Sequence, residues 1–283
     1  MVYLALALAL APGAAAQRAE RGWPAEPGVA VRVFNLAGST RVTGWERDSV
    51  AVTGSAPGGQ LYGGGSRSAI KLGVEPSTPG GAAPAGTLEV RVPFGAAVSV
   101  KSATADVEVT GIRGSVEVLS VGGNVMVNAN ARHVTVESML GDVVVLGAAP
   151  VVRVRTAGGS ATIEGTAEDL RVETVSGPVV VRAARPRQAR LESTTGSITF
   201  EGGLASDATL EVQTHESPVR LTFPASVAAS FDLTTFDGLL VNRFGDAAAR
   251  PSRGGKPLRF TTNGGGARVT VKTLKGDVAV YRR

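Results

Sequence analysis

The 283-residue chain contains no cysteine. That excludes disulfides, thiolate metal sites, a catalytic thiol and a lipid-modified N-terminal Cys. Histidine is nearly absent. His133 and His215 are the two in the chain; they lie too far apart in the pattern below to share a metal, and neither sits in a metal-ligand motif. Aromatic residues are scarce at 5%. The apolar content is Val, Ala, Leu and Ile, which together with 37 glycines favours strands and tight turns. No amphipathic helical periodicity occurs after residue 16. No Ser-His-Asp arrangement, Walker loop or dinucleotide fingerprint is present, and the glycine clusters do not open helices as phosphate loops do.

Long apolar runs are missing as well, with one exception at the N-terminus. Val2 to Ala11 is apolar, followed by Pro12, Gly13 and Ala14-Ala15-Ala16. This reads as an export signal over residues 1–16, although no Lys or Arg precedes it. The run is too short to span a bilayer. The formal net charge of +5 would attract anionic glycans, lipid headgroups or nucleic acid, but reads better as a solubilising Arg excess, and no nucleic-acid partner is expected.

What the chain does have is a period. Nine segments read apolar-x-apolar-x-Ser/Thr, with the hydroxyl residue at Ser102, Ser120, Ser138, Thr156, Thr174, Ser193, Thr214, Thr235 and Thr273. The first four steps are 18 residues, then 19, 21, 21 and 38. A fixed period of this size signals a repeat architecture. The two alternate positions before each hydroxyl are apolar in all nine segments, for example Val134 and Val136, or Val152 and Val154. Alternate side chains of a strand share one face, so these positions predict the interior, with the hydroxyl beside them. Three residues after the hydroxyl stands a glycine in seven of nine cases: Gly123, Gly141, Gly159, Gly177, Gly196, Gly238 and Gly276. Glycine tolerates positive φ, which a sharp corner often needs. A second alternating strand follows.

These observations predict an all-β, single-stranded parallel β-solenoid, right-handed and β-helix-like, with about 18 residues and two short strands per turn of the winding. Eighteen residues leave no room for a crossover helix. Residues 17–28 read as a linker and 29–283 as the solenoid. The segment 57–86, rich in Gly, Pro and Ser, reads as a mobile insertion with one short strand at Ala69-Ile70-Lys71-Leu72. Pro257 to Thr261 reads as the strand of a degenerate repeat between Thr235 and Thr273. Arg282-Arg283 reads as charge protecting the last edge.

The hydroxyl column predicts a structural ladder in which hydroxyls bond one another or cap turns. Its other reading is a hydroxyl-lined groove for a ligand. The residues after the turn glycine include Asp106, Asn124 and Asp142, turn formers that could also line an edge as a calcium site, although the spacing of calcium-binding solenoids is absent. Outward positions gather Arg153, Arg155, Arg171 and Arg190 over three repeats, a patch for an anionic ligand. Against this stands a solvated face in which Arg155 bridges Glu137 and Glu173. Met126, Val144, Thr162, Val180 and Thr199 form an outward, weakly polar stripe that reads as a contact surface or as the seat of the 57–86 insertion.

The segments 116–125 (VEVLSVGGNV), 170–179 (LRVETVSGPV) and 268–278 (RVTVKTLKGDV), with Pro93 and Pro224 opening others, resemble the bacterial "putative adhesin" β-strand-repeat family over residues 88–283. The resemblance implies export and a β-solenoid, and brings no catalytic residues. The expected function is a non-enzymatic, exported binding or scaffold module, without cofactor or metal, for a protein or cell-envelope polymer in the periplasm, at the cell surface or outside. The alternatives are a carbohydrate-active β-helix enzyme using Asp106, Glu108 and Glu117, and an envelope-stress or regulatory accessory.

Overall fold

A computed structural model describes residues 19–182, 185–244, 252–253 and 255–283. The expected export signal at 1–16 lies outside them. Among the described residues the chain is all-β, without a helix, and forms two large, mostly parallel sheets of 14 and 13 strands. Each repeat contributes one strand to each sheet. In the 13-stranded sheet Ser115–Ser120, His133–Ser138, Val151–Thr156 and Asp169–Thr174 pair in parallel, with Val116, Val134, Val152 and Leu170 in one row. The other sheet repeats this with Val125–Asn128, Val143–Ala148 and Ala161–Thr166. Every step across these rows is 18 residues, so like residue stands beside like.

The predicted interior is the interior. All eighteen apolar residues preceding the hydroxyls are buried, from Val98 and Val100 to Val269 and Val271, and so are their counterparts in the second strands. The nine hydroxyl residues are buried beside them. The face-to-face core is aliphatic between Val98 and Ile198. The few aromatics collect at the ends. Phe200, Phe223, Phe231, Phe244 and Phe260 form a chain of ring contacts, the closest being Phe231 stacked on Phe260 at 4.4 Å. At the other end a side chain at Gly63 would meet the indole of Trp23, so this ring lies over the glycine-rich strand Gly59–Gly65.

Several expectations are corrected. The turn glycines do not, except Gly276, have positive φ. A Cβ on Gly123, Gly141, Gly159, Gly177 or Gly196 would instead fall closer than 3.0 Å to the carbonyl oxygen of the equivalent turn residue one repeat earlier. The turns stack backbone on backbone, and only a residue without a side chain fits. The segment 57–86 is not a loose insertion. Gly59–Gly65 and Ala69–Pro76 form a hairpin, Ala69–Pro76 pairs in parallel with Ala30–Phe34, and Ile70 and Leu72 join the core. The stretch read as a linker contains the strand Ala19–Pro24, antiparallel to Ser49–Ser55.

Stack order departs from chain order at both ends. The strands Ala30–Phe34 and Ala37–Trp45 lie between the repeat that follows them and the next one. The last repeat, Ala267–Lys275 and Val278–Arg282, is likewise inserted between Thr209–Phe223 and Ala229–Arg243. Arg282-Arg283 therefore does not end the stack. Leu258–Thr262 is not a parallel rung but an antiparallel edge strand on Ala229–Asp237. All four edge strands of the two sheets, Ala19–Pro24, Gly59–Gly65, Ser252–Arg253 and Leu258–Thr262, attach antiparallel. Each is thereby a short folded-back segment rather than another parallel rung open to continuation.

Candidate ligand groove

The hydroxyl side chains act within their own turns. Ser102, Ser120, Ser138, Thr156 and Thr214 each donate to the carbonyl oxygen three residues on, at 2.8 to 3.3 Å. Thr174 and Ser193 accept the N–H of Gly177 and Gly196. A hydroxyl-to-hydroxyl bond occurs at Thr214–Thr273, 3.0 Å. The column is thus a set of turn staples more than a ladder. Asn35 occupies the equivalent place in the first repeat, fully buried, its amide donating to Ser39, Thr40 and Gly86. The sequence pattern misses it because the residue is Asn and the repeat lies out of order.

The residue after each hydroxyl has the opposite parity and points outward. In stack order this column reads Leu36, Ala103, Val121, Met139, Ala157, Val175, Thr194, His215, Leu274 and Phe236. Met139 is 56% exposed, Val175 54% and Phe236 69%. Of the eight large apolar side chains that stand out as exposed among the described residues, seven lie on this corner, Leu140 included; Met126 is the other. The corner backbone is itself laddered: Leu140 N–H to Val121 O at 2.8 Å, Gly158 N–H to Met139 O at 2.7 Å, Ser176 N–H to Ala157 O at 2.9 Å and Thr195 N–H to Val175 O at 2.8 Å. A ridge of exposed apolar side chains is therefore held on rigid backbone.

Beside the ridge runs a groove of about 960 Å³ spanning the repeats from Ser102 to Thr214. Six strand spacings make it about 29 Å long. Its floor is the hydroxyl column and one wall is the ridge. The other wall is the column before the hydroxyl: Lys101, Leu119, Glu137, Arg155, Glu173, Glu192 and Gln213. On the other sheet, Val144, Thr162, Val180 and Thr199 of the expected contact stripe are half-buried among their neighbours. Met126 is exposed, and no described segment covers it. The missed signal was legible: an apolar residue recurring at an outward turn position, every 18 residues.

The four arginines of the expected anionic patch are neighbours, with Arg153, Arg171 and Arg190 in one row. Each meets carboxylates. Arg153 pairs with Asp169 at 3.3 Å, Arg155 with Glu173 at 3.0 Å and Glu137 at 3.9 Å, Arg171 with Glu173, and Arg190 with Glu192 and Glu211. Five carboxylates thus face four guanidiniums. Burial raises the Glu173 pKa, but Arg171 and Arg155 outweigh it and hold the carboxyl below its ordinary range. Hydrogen bonding to Glu192 raises Arg190 further above its already high value.

The acidic candidates are separated. Asp106 and Glu108 lie on the 14-stranded sheet and Glu117 on the other, facing outward on opposite sides. Glu108 is paired with Arg41 at 2.9 Å. Asp106, Asn124 and Asp142 form a ladder in which each side-chain oxygen accepts the backbone N–H of the equivalent residue in the next repeat, at 2.8 to 3.0 Å. Asp142 also accepts from the Ser160 hydroxyl at 2.7 Å, and the Ser160 backbone bond, then its hydroxyl, lowers its pKa. Among the described residues no group of three or more His, Asp or Glu is arranged to hold a metal. His133 opens a strand and bonds Thr135, while His215 sits at the far end of the groove. No helix of the described residues is long and apolar enough to cross a membrane.

No protein-family profile matches the chain, and no curated protein does. Among solved structures it is similar to a "putative lipid binding protein" of Parabacteroides distasonis, with TM-score 0.54 and 9% identity over 93% of this chain and 96% of that one. It is also similar to a "putative adhesin" of Bacteroides fragilis, TM-score 0.44 and 10% identity over 94% and 98%. A "putative cell adhesion protein" of Clostridium sporogenes gives TM-score 0.27 and 7% identity over 94% and 100%. The Parabacteroides protein shares the all-β fold of this chain.

Proposed function

We propose that this chain is a non-catalytic binding module, exported and working at the cell envelope, whose strands wind as a right-handed β-solenoid. One observation carries the reading: among the described residues, nearly all the exposed large apolar side chains gather on a single laddered corner beside a long groove. Exposed apolar surface of this kind marks an interaction site, and a backbone laddered in both strands and turns presents it without loss of order on binding. The Parabacteroides protein is named for lipid binding, and such a role suits a groove with one apolar wall. Adhesin-like attachment to an envelope component is the form of binding we assign.

The test is a binding assay of the purified protein against envelope fractions, with Met139→Glu and Val175→Glu combined as the control variant. Both side chains are exposed, so the melting temperature should not change, while binding should fall about tenfold or more as the apolar contacts are lost. Unchanged binding by the variant would refute the assignment of the corner. Release of uronates or glycan fragments, with or without Ca²⁺, would refute the non-catalytic reading.

A further inference from the structure

The groove's chemistry narrows its occupant. Its floor hydroxyls are engaged within their own turns, and the corner amides are used in the ladder. A glycan or extended peptide lying along it would find partners on the charged wall alone, and its polar groups toward the floor and the ridge would go unmatched, which opposes binding. Among the described residues no Phe, Tyr or Trp lines the groove, so a sugar ring has no broad stacking platform there. A hydrocarbon chain makes no such demand. The groove is one residue column wide between its walls, which suits a single chain.

Among the residues that line the groove, the charges give such a chain a direction. Along the polar wall, Glu137, Arg155, Glu173 and Glu192 all take part in ion pairs. At the Ser102 end, Lys101 is exposed and has no ion pair among the described residues. Immediately beyond it Leu119 and Val121 face the groove from the two walls. A free cation at the mouth of a groove with one apolar wall complements an anionic head on an apolar tail. We infer that the groove takes one fatty acid lengthwise, its carboxylate at Lys101 and its tail along Val121 and Met139 toward Val175. This rests on the binding-module reading above and names its ligand class.

The experiment is calorimetric titration of the full chain with laurate, dodecanol and dodecyltrimethylammonium, each below its micellar concentration. Laurate should saturate one site and bind more tightly than the other two. Lys101→Gln should weaken laurate about three- to fivefold, the effect of one exposed ion pair, and leave dodecanol unchanged. Met139→Asp combined with Val175→Asp should abolish both, with the melting temperature unchanged. Absence of saturable laurate binding, preference for the cationic amphiphile, or laurate binding indifferent to both variants would overturn the inference. If laurate fails while the corner variant still loses envelope binding, the ligand class is wrong and the module reading stands. If both fail, the module reading falls as well.

Discussion

At the scale of single residues, the turn glycines show how a repeat can be read correctly for the wrong reason. Their column was plain in the sequence, but their cause is stacking and not torsion. A Cβ at Gly159 would crowd the carbonyl of Gly141, whereas one at Gly122 would meet its nearest atom, Ala103 O, at 3.7 Å. Gly159→Ala should therefore cost about 1–3 kcal/mol, as overpacking does, while Gly122→Ala should be close to neutral. Urea midpoints of the two variants check this; equal losses would refute the stacking argument. Asp142 offers a second test. Its folded pKa lies below the ordinary Asp value because Ser160 donates twice to its carboxylate. Its stabilising contribution is thus present above the unfolded pKa and lost as pH falls through the folded one. The melting-temperature difference between wild type and Asp142→Asn should shrink as pH is lowered below about 4. The torsional reading failed because sequence gives a residue's size but not the distance to the next backbone.

At the scale of strands, parity decides nearly everything. In Val151–Thr156, Val152, Val154 and Thr156 point inward and Arg153 and Arg155 outward. Val154→Asp would leave a charge in a fully buried aliphatic row and should unfold the protein at room temperature, since a buried unpaired charge costs several kcal/mol. Arg153→Ala removes one exposed ion pair and should move the melting temperature by little. Circular-dichroism melts of the two check the alternation. The same alternation made the inner columns legible and hid the groove. Val121, Met139 and Val175 stand at outward positions, where an apolar residue breaks the pattern used to find the core. The arginine patch was legible as a cluster, but its neutralisation depends on rotamers reaching across rows, and parity is silent about those.

At the scale of the whole molecule, the stack is closed from both ends by chain that doubles back. The last repeat bridges Thr209–Thr214 to Ala229–Asp237 in one sheet and Val219–Phe223 to Leu239–Arg243 in the other. Ending the chain after Gly266 would remove an interior rung and not a frayed end. Hydrogen exchange should show Ala229–Asp237 losing its protection while Thr209–Thr214 and earlier strands keep theirs, because each repeat touches only its neighbours. Retained protection of Ala229–Asp237 would refute the inserted order.

The sequence by itself determined the all-β class, the 18-residue step, the inward columns and the in-register pairing of the central repeats. Each follows from short-range sterics and the two-residue period of a strand. The tertiary structure alone decided the order of the end repeats, the antiparallel edge strands, and the groove. One open parallel edge accepts a rung as readily as another, and the number of residues in sequence between Trp45 and Ala69, and between Arg243 and Ala267, is large enough to reach past a neighbouring rung. The groove exists only where outward residues of seven repeats come side by side, which sequence separation conceals and stacking brings about.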